Sequence, residues 1–176
     1  MNNGFCASSR ERLRHAKRLR GFTLVEMMVV IVLMTVLLAM ALPSFSGLIE
    51  KYRVEGMASA LMASVSHARS EAARRGKTVT IQQRAGCRGR DWSCGWDTVV
   101  GSGAAAETLK RQDPDTRVAV QKGTLGSISF DAMGHSAGAA GFSFHPVGSD
   151  GSSSNAVTVC MALGGRVRLA KGGRGC

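Results

Sequence analysis

The chain has 176 residues, with 23 Lys or Arg against 12 Asp or Glu, for a formal net charge of +11. With 44% hydrophobic and 20% charged residues it is no disordered tail, and its size suits about one domain. Aromatics at 5% beside 22 Gly argue against a large aromatic-lined pocket.

Residues 1–21 carry Arg10, Arg12, Arg14, Lys17, Arg18 and Arg20 against Glu11 alone, so much of the charge precedes the first apolar segment. Residues 22–42, FTLVEMMVVIVLMTVLLAMAL, contain a single charged side chain. At about 1.5 Å per residue, a helix of that length reaches roughly 31 Å, enough to cross the hydrocarbon core. The basic flank predicts that residues 1–20 stay in the cytoplasm and that everything after Pro43 lies outside. A plain signal-anchor fits this pattern. A secretory signal cut after Ala41 also fits, because Ala39-Met40-Ala41 is small-x-small. The run is long for a secretory h-region, however, and it carries Glu26 near its start. A charge at mid-bilayer costs about 2.5–3.5 kcal/mol, so an intramembrane acid is a functional candidate by default.

Past Pro43 the apolar residues keep a helical period. Phe45, Leu48 and Tyr52 lead to Val54, Ala58, Leu61, Val65, Ala68 and Ala72, spaced alternately by four and three. The opposite face carries Lys51, Arg53, Glu55, Arg69, Glu71 and Arg74. The pattern predicts one helix from about Phe22 to Arg75, bent near Pro43 and stopped by Gly76. Its first half is apolar all round and its second half amphipathic. Beyond Gly76 the period becomes two, punctuated by glycine. Strands are predicted at 78–83, 96–100, 117–121, 127–131, 141–145, 156–163 and 166–170. Residues 101–106 and 148–154 read as surface loops. No βαβ rhythm appears. The expected fold is α+β, a long N-terminal helix, transmembrane then amphipathic, packed on a globular antiparallel β domain.

Arg20-Gly21-Phe22-Thr23-Leu24-Val25-Glu26 resembles the type III signal of type IV pilins and type II secretion pseudopilins. The resemblance implies that a prepilin peptidase cuts between Gly21 and Phe22 and methylates the new N-terminus. Glu26 then becomes the fifth mature residue, whose family role is to pair with the N-terminal amine of a neighbouring subunit. Such a pair makes physical sense, since amine and carboxylate relieve each other's burial in a low-dielectric bundle. Pro43 matches the family's helix kink. The leader is longer than the short leaders usual in type IVa pilins.

Further along, His67-Ala68-Arg69-Ser70-Glu71-Ala72, Arg75-Gly76-Lys77-Thr78-Val79-Thr80, Gly95-Trp96 and Gly165-Arg166-Val167-Arg168 resemble the FimT/GspH-type minor subunits, nearer the FimT branch. The implied organisation is a cytoplasmic leader (1–21), a transmembrane and filament-core helix (22–43), an amphipathic helix (44–76) and a periplasmic, pilin-like two-sheet β domain (77–176). The implied role is a minor pilin near the tip of a type IV pilus, anchored by one pass in the inner membrane. The alternative is a GspH-type minor pseudopilin of the type II secretion system. Implied partners are other pilins or pseudopilins, the prepilin peptidase and the inner-membrane assembly platform.

Of five cysteines, Cys6 lies in the leader, which leaves Cys87, Cys94, Cys160 and Cys176. Four cysteines allow three pairings, of which 87–94 and 160–176 are the nearest-neighbour choice. These would close loops worth about 2.5 and 3 kcal/mol of chain entropy. An even mature count beyond a membrane segment fits an oxidising periplasm. As metal ligands, Cys87 and Cys94 are seven apart and far in sequence from His67 and His135, so neither a metal nor a cofactor is expected.

No catalytic constellation is legible. Asp113-Pro114-Asp115 reads as a turn, His67, His135 and His145 adjoin no nucleophile motif, and Gly101-Ser102-Gly103 lacks the Lys-Ser/Thr of a phosphate loop. The expectation is a non-enzyme, itself a substrate of the peptidase. Two basic clusters remain. One runs from Arg69 through Arg74, Arg75, Lys77, Arg84 and Arg88 to Arg90, against Glu71. The other is Arg166, Arg168, Lys171 and Arg174, interleaved with glycine and free of acids. Arginine forks and close-approaching backbone N–H groups suit phosphate. FimT-type proteins with such a Gly-Arg-x-Arg terminus are associated with DNA capture in natural transformation, so the resemblance implies double-stranded DNA as a partner. A solvated cationic face, or one that docks an acidic filament neighbour, is the competing reading. Without interleaved aromatics, binding should follow duplex phosphates with little sequence preference.

Overall fold

A computed structural model describes residues 21–101, 103–124, 126–172 and 176. The chain divides into two compact units, Met1–Ala41 and Leu42–Cys176, taken here in turn.

In the first unit Gly21, Phe22 and Thr23 are non-helical, and helix α1 (Leu24–Arg75) starts two residues later than the apolar run. Thr23 is the reason. Its Oγ1 accepts the Glu26 N–H at 3.2 Å, and its carbonyl accepts the Met27 N–H at 3.2 Å. A Thr with Glu three residues later is the sequence signature of a capped helix start. The apolar side chains from Leu24 to Met40 are exposed on every side, a pattern that needs lipid or other helices around it. Neither Leu24–Met40 nor Phe45–Arg75 is by itself long and apolar enough to cross a membrane, whereas the two together have that length and composition. The side chain of Pro43, on which the expected kink turns, lies outside the described residues.

In the second unit α1 buries one stripe, Val54, Met57, Ala58, Leu61, Val65, Ala68 and Ala72. The alanines bring the backbone of the helix close to the sheets. Gly76 ends the helix in the left-handed region, with φ of 62°, and Lys77 N–H reaches back to Ala72 O at 3.3 Å. That closure satisfies a carbonyl the last turn would otherwise leave open.

Two antiparallel sheets complete this unit. The first has the order β3 (Glu107–Gln112), β2 (Trp96–Val100), β1 (Val79–Gln83), β5 (Ile128–Phe130). The second runs β4 (Val118–Lys122), β6 (Ala140–Pro146), β7 (Val157–Met161), β8 (Val167–Lys171). Alternate residues from both sheets meet the helix stripe in one core, with Trp92, Trp96, Phe130, Phe142 and Phe144 its largest members. Each such side chain contributes about 1.5–3 kcal/mol by leaving water. Trp96 also keeps its N–H satisfied, donating to Ser64 Oγ at 3.0 Å, which itself donates to Ala60 O.

Seven strands fall within two residues of where alternation placed them. The eighth, β3, was not among the predicted strands. Its sequence, ETLKRQ, has no apolar alternation and stays largely exposed as the sheet's outer strand. Backbone pairing with β2 builds it, aided by Arg111 Nε bonding Asp97 Oδ1 at 3.1 Å directly across the ladder. Charged residues on an edge strand also discourage further pairing. The expected loop at 101–106 contains a short 3-10 turn, Gly103–Ala105, leading into β3.

Candidate functional site

At the N-terminal end, the Gly21-Phe22 peptide sits in non-helical, exposed chain immediately ahead of the capped helix. Glu26 occupies the first turn, where the helix dipole favours negative charge. Its carboxylate is exposed and forms no ion pair with any described residue.

The C-terminal basic segment is built on β7, β8 and the disulfide Cys160–Cys176, whose Cα atoms are 5.5 Å apart. Val167 pairs with Met161 and Leu169 with Val159, so these β8 residues face the core. Arg168 pairs with Cys160 and therefore faces outward. Arg166, the expected first residue of this strand, lies instead in the turn just before β8, which starts at Val167. Both arginines line a cleft of about 620 Å³ on the outer face, with Gly141, Cys160 and Cys176 in its floor. Both are exposed, and their side chains form no ion pair among the described residues.

The other two expected members of this cluster do not join them. Lys171 pairs with Val157, which puts it on the core-facing side, and its Nζ meets Glu55 Oε1 of α1 at 3.2 Å. Arg174 lies outside the described residues.

A second cleft of about 530 Å³ shares Thr124, Gly141 and Cys176 with the first. Arg90, Gln121, Ser143 and Thr158 are among the residues that line it. Arg90 is placed there by main-chain bonds: Lys122 N–H donates to Arg90 O at 2.8 Å, and Trp92 N–H to Val120 O at 2.8 Å. The Cys87–Cys94 disulfide closes the loop that carries it. Nothing local in the sequence predicts this placement, because it runs through the pairing of residues 90–92 with β4.

The first basic cluster is mostly consumed by internal pairing. Arg69 Nε donates to Gly134 O at 3.1 Å and its Nη1 to Gly165 O at 3.2 Å, fastening two hairpin turns to the helix. Gly165, at φ of 80°, is strained for any side chain and tightly packed: a Cβ there would lie 3.1 Å from Arg69 Cδ and from Phe130. Glu71 accepts from Arg74 and Arg75, and these hydrogen bonds pull its pKa from 4.5 down to about 2. Arg75 also reaches Glu107 at 2.9 Å, and Arg84 reaches Asp113 at 2.8 Å. Lys122, buried beside Trp92 and Phe142, donates to Gly126 O at 2.8 Å, and burial pushes its pKa down.

The histidines are dispersed. His145 Nδ1 is 3.3 Å from Pro146 O, and His135 Nδ1 is 3.8 Å from Asp131 Oδ2. Among the described residues no three His, Cys, Asp or Glu side chains gather as a metal-binding group.

Among curated proteins none matches the sequence significantly. Two sequence families do. The family described as Type II transport protein GspH matches residues 57–165, more than half of the chain, and the prokaryotic N-terminal methylation motif matches residues 16–42. Among solved structures, the fold resembles the type IV minor pilin FimU of Pseudomonas aeruginosa PAO1, with a TM-score of 0.57 at 20% identity over 71% of this chain and 93% of that one. A second crystal form of FimU gives a TM-score of 0.54 at 22% identity, covering 68% and 94%. The minor pseudopilin EpsH of the Vibrio cholerae Type 2 Secretion System gives 0.53 at 11%, covering 69% and 98%. These likenesses establish the pilin-like α+β fold. With its methylation motif, apolar N-terminal helix and matching domain, the chain belongs to the GspH family and is a membrane-anchored structural subunit of the minor pilin or pseudopilin class.

Proposed function

We propose that the chain is a non-enzymatic minor pilin of the FimT type that carries a DNA-binding face into a type IV pilus. In this reading a prepilin peptidase cuts between Gly21 and Phe22, and Glu26 pairs with a neighbour's N-terminal amine during assembly from the inner membrane. The β domain faces the periplasm and takes a place near the filament tip, and the surface around Arg166 and Arg168 holds duplex phosphates during natural transformation.

One observation carries the reading. Arg53, Arg69, Arg74, Arg75, Arg84 and Arg111 are committed to carboxylates or carbonyls, whereas Arg166 and Arg168 line the same open cleft without an ionic partner among the described residues. Solvent-facing, unpaired guanidinium groups beside small residues can reach phosphate oxygens in forked geometry. Lys171 has a weaker claim, because it shares its charge with Glu55.

A second reading, a minor pseudopilin of a type II secretion system, draws on the GspH family match and the EpsH likeness. Deleting the gene separates the two. Loss of DNA uptake with normal protein secretion, restored by the wild-type gene but not by an Arg166→Gln/Arg168→Gln copy, supports the pilin. Loss of secretion with normal uptake supports the pseudopilin.

A further inference from the structure

We propose that Leu163, at the tip of the β7–β8 hairpin, is an apolar wedge that enters the minor groove of a DNA duplex and parts a base step while Arg166 and Arg168 hold phosphates beside it. This rests on the DNA-binding reading above and adds to it the groove, the mode of entry and an uncharged contact residue.

The composition of the tip is the first observation. Between Met161 and Arg166 the chain reads Ala-Leu-Gly-Gly, so Leu163 is its one side chain larger than a methyl group. Turns ordinarily carry Gly, Asn, Asp or Ser at such positions. Met161 before the turn and Val167 after it pack toward the core, whereas Leu163 is 73% exposed. Gly164 and Gly165 follow it in the left-handed region, at φ of 83° and 80°, and add no bulk. The hairpin end is therefore slim enough for a groove about 6 Å wide.

The second observation is placement. Leu163 lines the same cleft as Arg166 and Arg168, with Ala139 and Ala162 beside them and no Asp or Glu side chain in its lining. One surface thus joins an apolar tip to two guanidinium groups. The negative potential of a narrow minor groove attracts arginine, and leucine is among the side chains that part base steps there and kink the duplex.

The third is rigidity. Ala162 N–H donates to Arg166 O and Gly165 N–H to Ala162 O, both at 2.9 Å, and Arg69 Nη1 holds Gly165 O at 3.2 Å from α1. A turn fixed in this way loses little freedom when it binds, so more of the contact energy goes into opening the stack. The wedge forms no hydrogen bond with a base edge. It therefore favours an interrupted stack, which is cheaper to open, over any base sequence.

The test uses the full chain in detergent micelles with two short duplexes, identical except for one unpaired base in the second. Anisotropy gives the affinities, and energy transfer between end labels gives the bend. The wild type is expected to bend the duplex by some 20–90° and to prefer the interrupted one on the order of tenfold. Leu163→Ala should abolish the bend and the preference while leaving the log–log salt slope unchanged, because no phosphate contact is removed. Met133→Ala, which removes an equally exposed apolar side chain outside this cleft, should behave as wild type. Bending and preference that survive Leu163→Ala, that are absent from the wild type, or that fall equally in Met133→Ala overturn the wedge. If Arg166→Gln/Arg168→Gln still weakens binding in those cases, the DNA reading stands. No duplex binding by the wild-type chain overturns both.

Discussion

The sulfur of Cys176 packs against the backbone of Gly141, where a Cβ would lie 2.9 Å from it. Gly141 is also the register partner of Cys160, the other half of the Cys160–Cys176 bond. The end of the chain is thus pinned onto the strand that floors the cleft beside Arg168, and the fit depends on a residue without a side chain.

Gly141→Ala therefore has to displace the bonded cysteine. We expect a loss of about 1–3 kcal/mol in urea unfolding followed by the fluorescence of the buried Trp92 and Trp96. In a Cys160→Ser/Cys176→Ser background the same change should cost markedly less, since neighbouring sites are non-additive. An equal cost in both backgrounds would mean that the cysteine is not what excludes the methyl group.

Removing the bond itself, by Cys160→Ser/Cys176→Ser, should lower stability by about 3 kcal/mol, the chain-entropy value for a closed loop of this size. The same unfolding experiment measures it, and a wild-type midpoint would show that the bond constrains little of the unfolded chain.

Arg69 joins α1 to the turns at Gly134 and Gly165 through two donors of one guanidinium. Arg69→Ala leaves both carbonyls short of a donor, and about 2–5 kcal/mol should be lost. Arg69→Lys should recover less than half, because a single ammonium does not reproduce the fork. Full recovery by lysine, seen in thermal melts, would reduce the clamp to a charge effect.

How much of this was legible in the sequence depends on whether the cause was local. The helix stop at Gly76 and the seven alternating strands follow from local patterns, a left-handed glycine and period-two burial, whereas the start expected at Phe22 overlooked the local Thr-x-x-Glu cap that moves it to Leu24. β3 was invisible because its side chains do not alternate, and its place comes from pairing with β2. The sites divide the same way. Arg166 and Arg168 are two apart at a strand start and could be read as neighbours. The pairing of residues 90–92 with β4 is set only by long-range packing, and Lys171 turns to Glu55 because of its parity on β8. Neither long-range placement leaves a local trace.

Glu71 has its pKa held near 2 by hydrogen bonds to Arg74 and Arg75. A carboxylate depressed on folding contributes stability that is present above its ordinary 4.5 and lost as pH falls through about 2. The stability difference between wild type and Glu71→Gln should therefore be constant near neutrality and shrink on acidification through that window. A difference that persists undiminished at the acid end would assign the effect to packing rather than to charge.

Glu26 should separate processing from assembly. A Glu26→Ala chain is expected to be cut ahead of Phe22 and methylated as usual, yet to be missing from sheared filaments. N-terminal sequencing of membrane and filament fractions checks both halves, and normal incorporation would remove the proposed pairing. A mature chain beginning at Leu42 would instead indicate a secretory cut.

The most direct test of the account is a salt titration of duplex binding by the full chain in mild detergent, beside Arg166→Gln/Arg168→Gln. The account predicts binding by the wild type that weakens steeply between about 50 and 200 mM salt, is indifferent to base sequence, and is lost in the double variant. Wild-type binding that ignores salt, or that survives the loss of both arginines, would contradict it.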